Sequence, residues 1–211
     1  MYKDFGATRT FKNLAATFAS ECQEGAKYQF MAKAAQQQNL TALQNMLKHL
    51  AKNEMAHAER VFNVMTHYSE QDKGAKAQVD SLEGIVVNAS YPFKNGKLID
   101  MMCFTADAEK HIQDVVYKEF GKTAKSEGFD DIAIMFNELA SVEGDHSNLI
   151  DELCTMLKKG TLYSAPAKSK WKCSMCGYET EDKAAPQVCN LCKAPQGAYY
   201  IKTSLFEYFK P

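Results

Sequence analysis

Two short motifs constrain this chain more than anything else in it. Glu54 and His57 stand three residues apart in "NEMAHAE", and Glu143 and His146 stand three apart in "VEGDHS". Residues at i and i+3 share one face of an α-helix. Each motif, if helical, therefore offers a carboxylate and an imidazole side by side. One copy would mean little, because solvated helix faces often carry both residue types. Two copies fit two helices that aim their donors at a common centre. Buried unpaired carboxylates are costly, whereas a metal satisfies them. Carboxylate with imidazole suits iron or manganese, and open coordination positions admit dioxygen or peroxide.

The rest of the chain supplies partners for these motifs. Glu21 precedes Glu54 by 33 residues, and Glu109 precedes Glu143 by 34. Two Glu-x-x-His helices plus one inward glutamate from each of two others is the donor pattern of ferritin-like di-metal bundles. Four helical segments carry these residues. The first, from about Lys12 to Leu40, has apolar residues at three-four spacing, including Leu14, Phe18, Cys22, Tyr28 and Phe30. The second opens with Thr41 and Gln44 in a capping-box arrangement. The third runs from Leu98 and stops near Gly128, and the fourth starts at Asp130 or Asp131 and ends in lysines and Gly160. The links between the first and second and between the third and fourth are short, so those neighbours should be antiparallel. Between the second and third lies a stretch of about 28 residues, Ser69 to Gly96, with Pro92 and three glycines. It reads as the long crossover of a bundle, or else as a disordered insertion. His49 and His67 lack a carboxylate at matching spacing and read as ordinary surface or core histidines.

Beyond Gly160 the composition changes. A linker, 161–167, leads to a unit at 168–211 that is rich in turn residues and aromatics, among them Trp171, Tyr178, Tyr199, Tyr200 and Phe206. It carries Cys173 and Cys176 in "WKCSMCGY", and Cys189 and Cys192 in "PQVCNLCKAP". Two such pairs grip one metal in a tetrahedron of thiolates, which suits zinc or iron. A unit this small needs that cross-link to stay folded. The organisation expected is a helical domain at 1–160 and a small β-rich metal domain at 168–211.

Composition narrows the function classes. The formal net charge of -1 and the lack of a basic stripe give no support to a nucleic-acid partner. No stretch approaches the roughly 20 apolar residues of a membrane span, and the first residues do not read as a signal peptide. A cytoplasmic protein is expected. Of the seven cysteines, Cys22, Cys103 and Cys154 lie outside the paired motif. In a reducing compartment they read as three free thiols that pack as small core residues.

Taken together these residues resemble rubrerythrin, over almost the whole chain. Glu21 followed by Tyr28, "NEMAHAERVF", "YKEFGKTAKSEGFDDIA" from Tyr117, the Glu143/His146 pair and the four cysteines with "CGY" all carry the likeness. The resemblance implies an all-α four-helix ferritin-like bundle with one long crossover, followed by a rubredoxin-like domain. It implies a di-iron site held by Glu21, Glu54, His57, Glu109, Glu143 and His146. Glu54 and Glu143 would bridge, Glu21 and Glu109 would be terminal, and each iron would have one histidine. Tyr28 and Tyr117 would act on the carboxylates from behind. Cys173, Cys176, Cys189 and Cys192 would hold one iron, with zinc as a substitute.

Three positions depart from the family. Rubredoxins commonly have proline after the third cysteine and glycine after the fourth, where this chain has Asn190 and Lys193. The family's third helix has two glutamates three residues apart. Aligned on Tyr117, the first is Glu109 and the second falls on Ile112, which cannot bind a metal. In the family one iron exchanges its histidine for that second glutamate as its oxidation state changes. Here the iron could keep His57, or water or Gln113 could fill the gap, or a π-bulge could bring His111 inward. The first is preferred, because an apolar neighbour excludes water and His57 is already at ligand spacing.

The activity implied is reduction of hydrogen peroxide to water in oxidative-stress defence. Electrons would come from NAD(P)H through an external reductase or rubredoxin, and would pass through the thiolate iron. At least a homodimer is expected. The alternatives are a ferroxidase or iron-storing ferritin-like protein, which leaves the cysteine unit idle, and a zinc ribbon on a helical scaffold that binds a partner.

Overall fold

The computed structural model describes residues 4–87 and 94–202. Pro92 and Phe206 lie outside them. Four long helical rods make up the bundle: α1 (Arg9–Gln37), α2 (Thr41–Ser69), a composite third rod, and α6 (Asp130–Lys159). The crossover carries a short helix, α3 (Lys73–Val79), whose N-cap Asp72 accepts from the N–H of Gly74 at 2.8 Å and of Ala75 at 3.3 Å. Helix α2 begins at Thr41, and Leu40 O accepts from Gln44 N at 2.8 Å. Leu40 thus holds the cap position, one residue before the expected capping box. No helix among the described residues is long and apolar enough to cross a membrane.

The third rod is not one continuous α-helix. It comprises α4 (Leu98–His111), a π-helical turn (Ile112–Val116) and α5 (Tyr117–Ser126). The N–H of Tyr117 reaches back to the carbonyl of Ile112, which is the five-residue step of a π-turn. Gly128, with φ of 89°, ends the rod, and α6 follows directly.

The chain forms two compact units, each taking part of every long rod. The first contains residues 4–26, 52–87 and 107–147. Its core is built from Phe11, Leu14, Val61, Met65, Ile132 and Phe136 with an aromatic knot at one end. In that knot Phe5 lies 5.2 Å from Phe11 and from Tyr68, and 5.3 Å from Phe129, centroid to centroid. The Tyr68 hydroxyl donates to Asp131 at 2.6 Å. Phe18 is partly buried against this core, but Phe30, on the same apolar stripe in sequence, is 56% exposed.

The second unit contains 27–51, 94–106 and 148–202. Leu43, Leu47, Leu50, Met102, Ile150 and Leu153 fill its helical core. Cys103 of α4 and Cys154 of α6 are joined there by a disulfide, with a Cα–Cα distance of 5.5 Å. This corrects the expectation of three free thiols: only Cys22 of the three stays free. That distance is ordinary for a disulfide, and the packing of two rods creates it, not sequence spacing.

The same unit carries a three-stranded antiparallel sheet in the order β2-β1-β3: β1 (Ser164–Cys173), β2 (Glu179–Ala184) and β3 (Tyr199–Ile201). Strand β1 starts inside the stretch read as linker. Trp171 is fully buried and donates from Nε1 to the carbonyl of Asp182 at 2.9 Å. Tyr200 and Ile201 pack against the helical core of this unit. Gly197 closes the contact: a Cβ there would lie 1.8 Å from the carbonyl oxygen of Asn39, so only glycine fits.

Candidate metal centres

The carboxylates of the first unit converge because four rods each turn one face inward. Glu21 is 1% exposed, Glu54 and Glu109 are fully buried and Glu143 is 1% exposed. Two four-donor groups result, each with one ligand atom per residue within 4.8 Å of the others. One is Glu21, Glu54, His57 and Glu143; the other is Glu54, Glu109, Glu143 and His146. They share Glu54 and Glu143. All six donors read from the sequence are thereby brought together.

The imidazoles point into the cluster. His57 Nδ1 lies 3.3 Å from oxygens of Glu21, Glu54 and Glu143 alike. His146 Nδ1 lies 2.8 Å from Glu54 and 3.1 Å from Glu143. The two rings are nearly parallel, 5.8 Å apart and inclined by 21°. On the far side of His146, Nε2 faces the Asn53 amide at 3.4 Å. The Tyr117 hydroxyl donates to Glu21 Oε1. Burial, then the Glu21 charge, pushes the phenol up, so it stays protonated and keeps its O–H for Glu21.

Burial and mutual charge set the electrostatics of the cluster. Burial, only partly offset by a hydrogen bond from His57, raises the Glu21 carboxyl well above its usual range. Burial raises Glu109 likewise, with the charges of Glu143, Glu54 and Glu24 adding to it. Burial would lower both imidazoles, but hydrogen bonds to the carboxylates outweigh it and lift His57 to about 12 and His146 to about 10. Burial would raise Glu143, but hydrogen bonds from His146 and His57 bring it down to about 2. Both oxygens of Glu54 are buried with no hydrogen bond of good geometry. Two divalent cations would neutralise four carboxylates and leave both imidazoles free to ligate, so the donor set fits a di-metal centre.

Sequence reasoning missed two neighbours. Glu24, 4% exposed, lies one helical turn past Glu21 and close enough to Glu109 to raise it. Its three-residue spacing from Glu21 was the available signal. Asn53 adjoins Glu54 and had no signal at all. Tyr28 is fully buried in the second unit, among Met31, Leu47 and Met102. His111 is exposed, so the π-turn does not bring it inward, and Ile112 is partly buried against the apolar core of the first unit.

The four cysteines form the other centre. Sγ atoms of Cys173 and Cys192 are 3.8 Å apart, and those of Cys176 and Cys189 are 3.7 Å apart. A tetrahedron with arms of about 2.3 Å has edges of about 3.8 Å, so one metal–thiolate ion fits. Cys173 and Cys189 are buried while Cys192 is exposed. Burial raises the Cys173 thiol to about 12. Burial acts the same way on Cys189, but the Tyr199 hydroxyl and the backbone N–H groups of Cys192 and Leu191 outweigh it and bring that thiol to about 6.

Comparison with known proteins gives matches in both the helical and the cysteine-bearing regions. Residues 12–114 match the family model described as Rubrerythrin, and residues 171–199 match that described as Rubrerythrin, rubredoxin-like domain. The chain is 30% identical over 199 residues to Rubrerythrin-1 of Clostridium acetobutylicum, covering 94% of this chain and 97% of that one. It is 26% identical over 202 residues to the rubrerythrin of Nitratidesulfovibrio vulgaris, covering 94% and 97%. Among solved structures, partially reduced nigerythrin superposes with a TM-score of 0.56 at 19% identity, covering 95% of this chain and 92% of that one.

Proposed function

This chain belongs to the rubrerythrin family, whose cofactor is iron in a di-metal carboxylate site and a rubredoxin-like centre, and from that premise we propose that it reduces hydrogen peroxide to water. The observation that carries the reading is the pair of donor groups sharing Glu54 and Glu143, in one chain with a four-thiolate site. Bound iron would supply the electrons that peroxide takes up. Glu54 and Glu143 would bridge the pair, Glu21 with His57 would complete one position, and Glu109 with His146 the other. Tyr117 would hold Glu21 in place by donating to it, and Asn53 would fix the His146 ring from behind. Burial of all four carboxylates keeps bulk water away from the reacting oxygen atoms. The thiolate iron would accept electrons from an external rubredoxin or NAD(P)H-dependent reductase, with the exposed Cys192 as the point of approach. Assembly as a homodimer or larger is part of the proposal.

Turnover by the natively purified chain tests it. Three irons per chain, and a visible thiolate-to-iron band that bleaches on reduction and returns with peroxide, are expected. Iron uptake and oxidation with no donor-driven peroxide turnover would instead mark a ferroxidase. Zinc alone would mark a structural ribbon. Glu143→Ala should lose di-iron occupancy. Glu119→Ala should change little, since Glu119 is 61% exposed and pairs with the exposed Lys122 at 2.5 Å. Equal iron content in both variants would refute the site.

A further inference from the structure

Gly144 stands inside the α6 motif, one residue after Glu143 and two before His146, and it is buried. Glycine in a helix interior costs about 1 kcal/mol relative to alanine, so a reason for it is to be sought in what lies opposite. A Cβ on Gly144 would meet Gln113 at 2.4 Å from Nε2, 2.7 Å from Cδ and 3.0 Å from Oε1. The carboxamide of Gln113 thus fills the space that a methyl group would take. Gln113 sits on the π-turn Ile112–Val116, directly after the isoleucine that stands in place of a carboxylate. The extra residue in that turn changes which side chains face α6, and α5 still starts with Tyr117 bonded to Glu21.

We propose that Gln113 is a positioning residue of the di-metal site. Its carboxamide, keyed into the notch above Gly144, holds the α6 turn bearing Glu143 and His146 in register with the rod bearing Glu109. The amide is neutral at every pH of interest, so it fixes geometry without adding a fifth negative charge to four carboxylates. This rests on the reading of the six donors as metal ligands. The notch and its filler are complementary, so Gly144→Ala would evict Gln113, and Gln113→Ala would empty the notch. Combining the two would refill it with a methyl group but leave no amide.

Anaerobic titration of the full chain with ferrous ion, paired with thermal melting, separates these roles. The wild type should bind two ferrous ions in the bundle; if it binds none there, the metal reading itself fails. Gly144→Ala should melt lower than wild type and bind ferrous ion some 10- to 100-fold more weakly, the usual cost of losing an outer partner of a metal ligand. Gln113→Ala should weaken binding similarly. Gln113→Ala with Gly144→Ala should recover the melting temperature but not the affinity. Gly144→Ala that melts higher than wild type with unchanged affinity would overturn the proposal, because the notch would then be empty. Wild-type affinity in the double variant would overturn it too, since Gln113 would then be only a spacer.

Discussion

Lys193 shows how a single residue carries the cost of a site. It follows the fourth cysteine and adopts φ of 62°, the left-handed region. Its N–H donates to the carbonyl of Cys189 at 3.0 Å, closing the loop around the metal. A residue with a Cβ pays about 1–2 kcal/mol for that conformation, whereas glycine pays instead about 0.5–1 kcal/mol of chain entropy. Lys193→Gly should therefore stabilise the metal-loaded protein by up to about 1 kcal/mol. Thermal melting of the two forms checks this, and a less stable variant would show that the Lys193 side chain, whose Nζ donates to the Asn190 carbonyl at 3.1 Å, matters more than its backbone. At this scale the sequence was most legible where chemistry demands fixed spacing. Four of the six bundle donors and the four cysteines announce themselves at i, i+3 intervals, and Glu21 and Glu109 by standing 33 and 34 residues before the two bundle pairs. Gly144 and Gln113 do not, because their fit depends on two rods meeting, and nothing in either local pattern encodes it.

Among the elements, the start of α1 is held from outside. No acidic side chain lies in its first turn. Glu127, past the end of α5, supplies the missing acceptor: its carboxylate takes the N–H of Arg9 at 3.1 Å and of Thr10 at 2.8 Å, and the Thr10 hydroxyl at 2.6 Å. Burial opposes this, but those hydrogen bonds outweigh it and hold the Glu127 carboxyl below its usual range. A depressed folded pKa stabilises the fold above the unfolded value and loses that contribution as pH falls through the folded one. Protection of the Arg9 and Thr10 amides, taken relative to the intrinsic exchange rate at each pH, should accordingly fall once the pH drops below the ordinary carboxylate range. Glu127→Gln should remove that pH dependence, and Glu127→Ala should cost about 1 kcal/mol, as for a lost N-cap. Wild-type protection that stays constant across that pH range would rule the cap out. The Cys103–Cys154 disulfide is a second device of this kind. It closes a loop with a sequence separation of 51, worth up to about 4 kcal/mol by the chain-entropy argument. Reductant should lower the melting temperature of the wild type but not of Cys154→Ala, and identical wild-type melts with and without reductant would exclude the link. Periodicity foretold the four rods, and the departure at Ile112 left a π-bulge open as one alternative there, which the turn Ile112–Val116 bears out without the inward His111; the disulfide was not readable, since it arises from rod packing.

For the molecule as a whole, the question is how far the thiolate centre and the helices depend on each other. The composition change near residue 160 suggests separable domains. Within the second unit, however, Tyr200 and Ile201 of the sheet share a core with Leu43, Met46 and Leu153, and Gly197 lies directly against Asn39 at the α1–α2 turn. The cysteine sheet has little apolar core of its own beyond Trp171, Ala185, Ala198 and Tyr199, so its folding should rest on the metal. Cys176→Ser should thus abolish the thiolate–metal band and donor-driven turnover. The long rods carry their own cores, so most helical circular dichroism should remain. Because the sheet covers part of the helical core of the second unit, the helices should also melt earlier, and the hydrogen exchange of residues 41–47 and 150–157 should rise more than that of residues 54–65. Complete loss of helicity in Cys176→Ser would show that the helices cannot fold without the metal sheet. A melt identical to wild type, with exchange unchanged at 41–47, would show that the sheet lends the helices nothing.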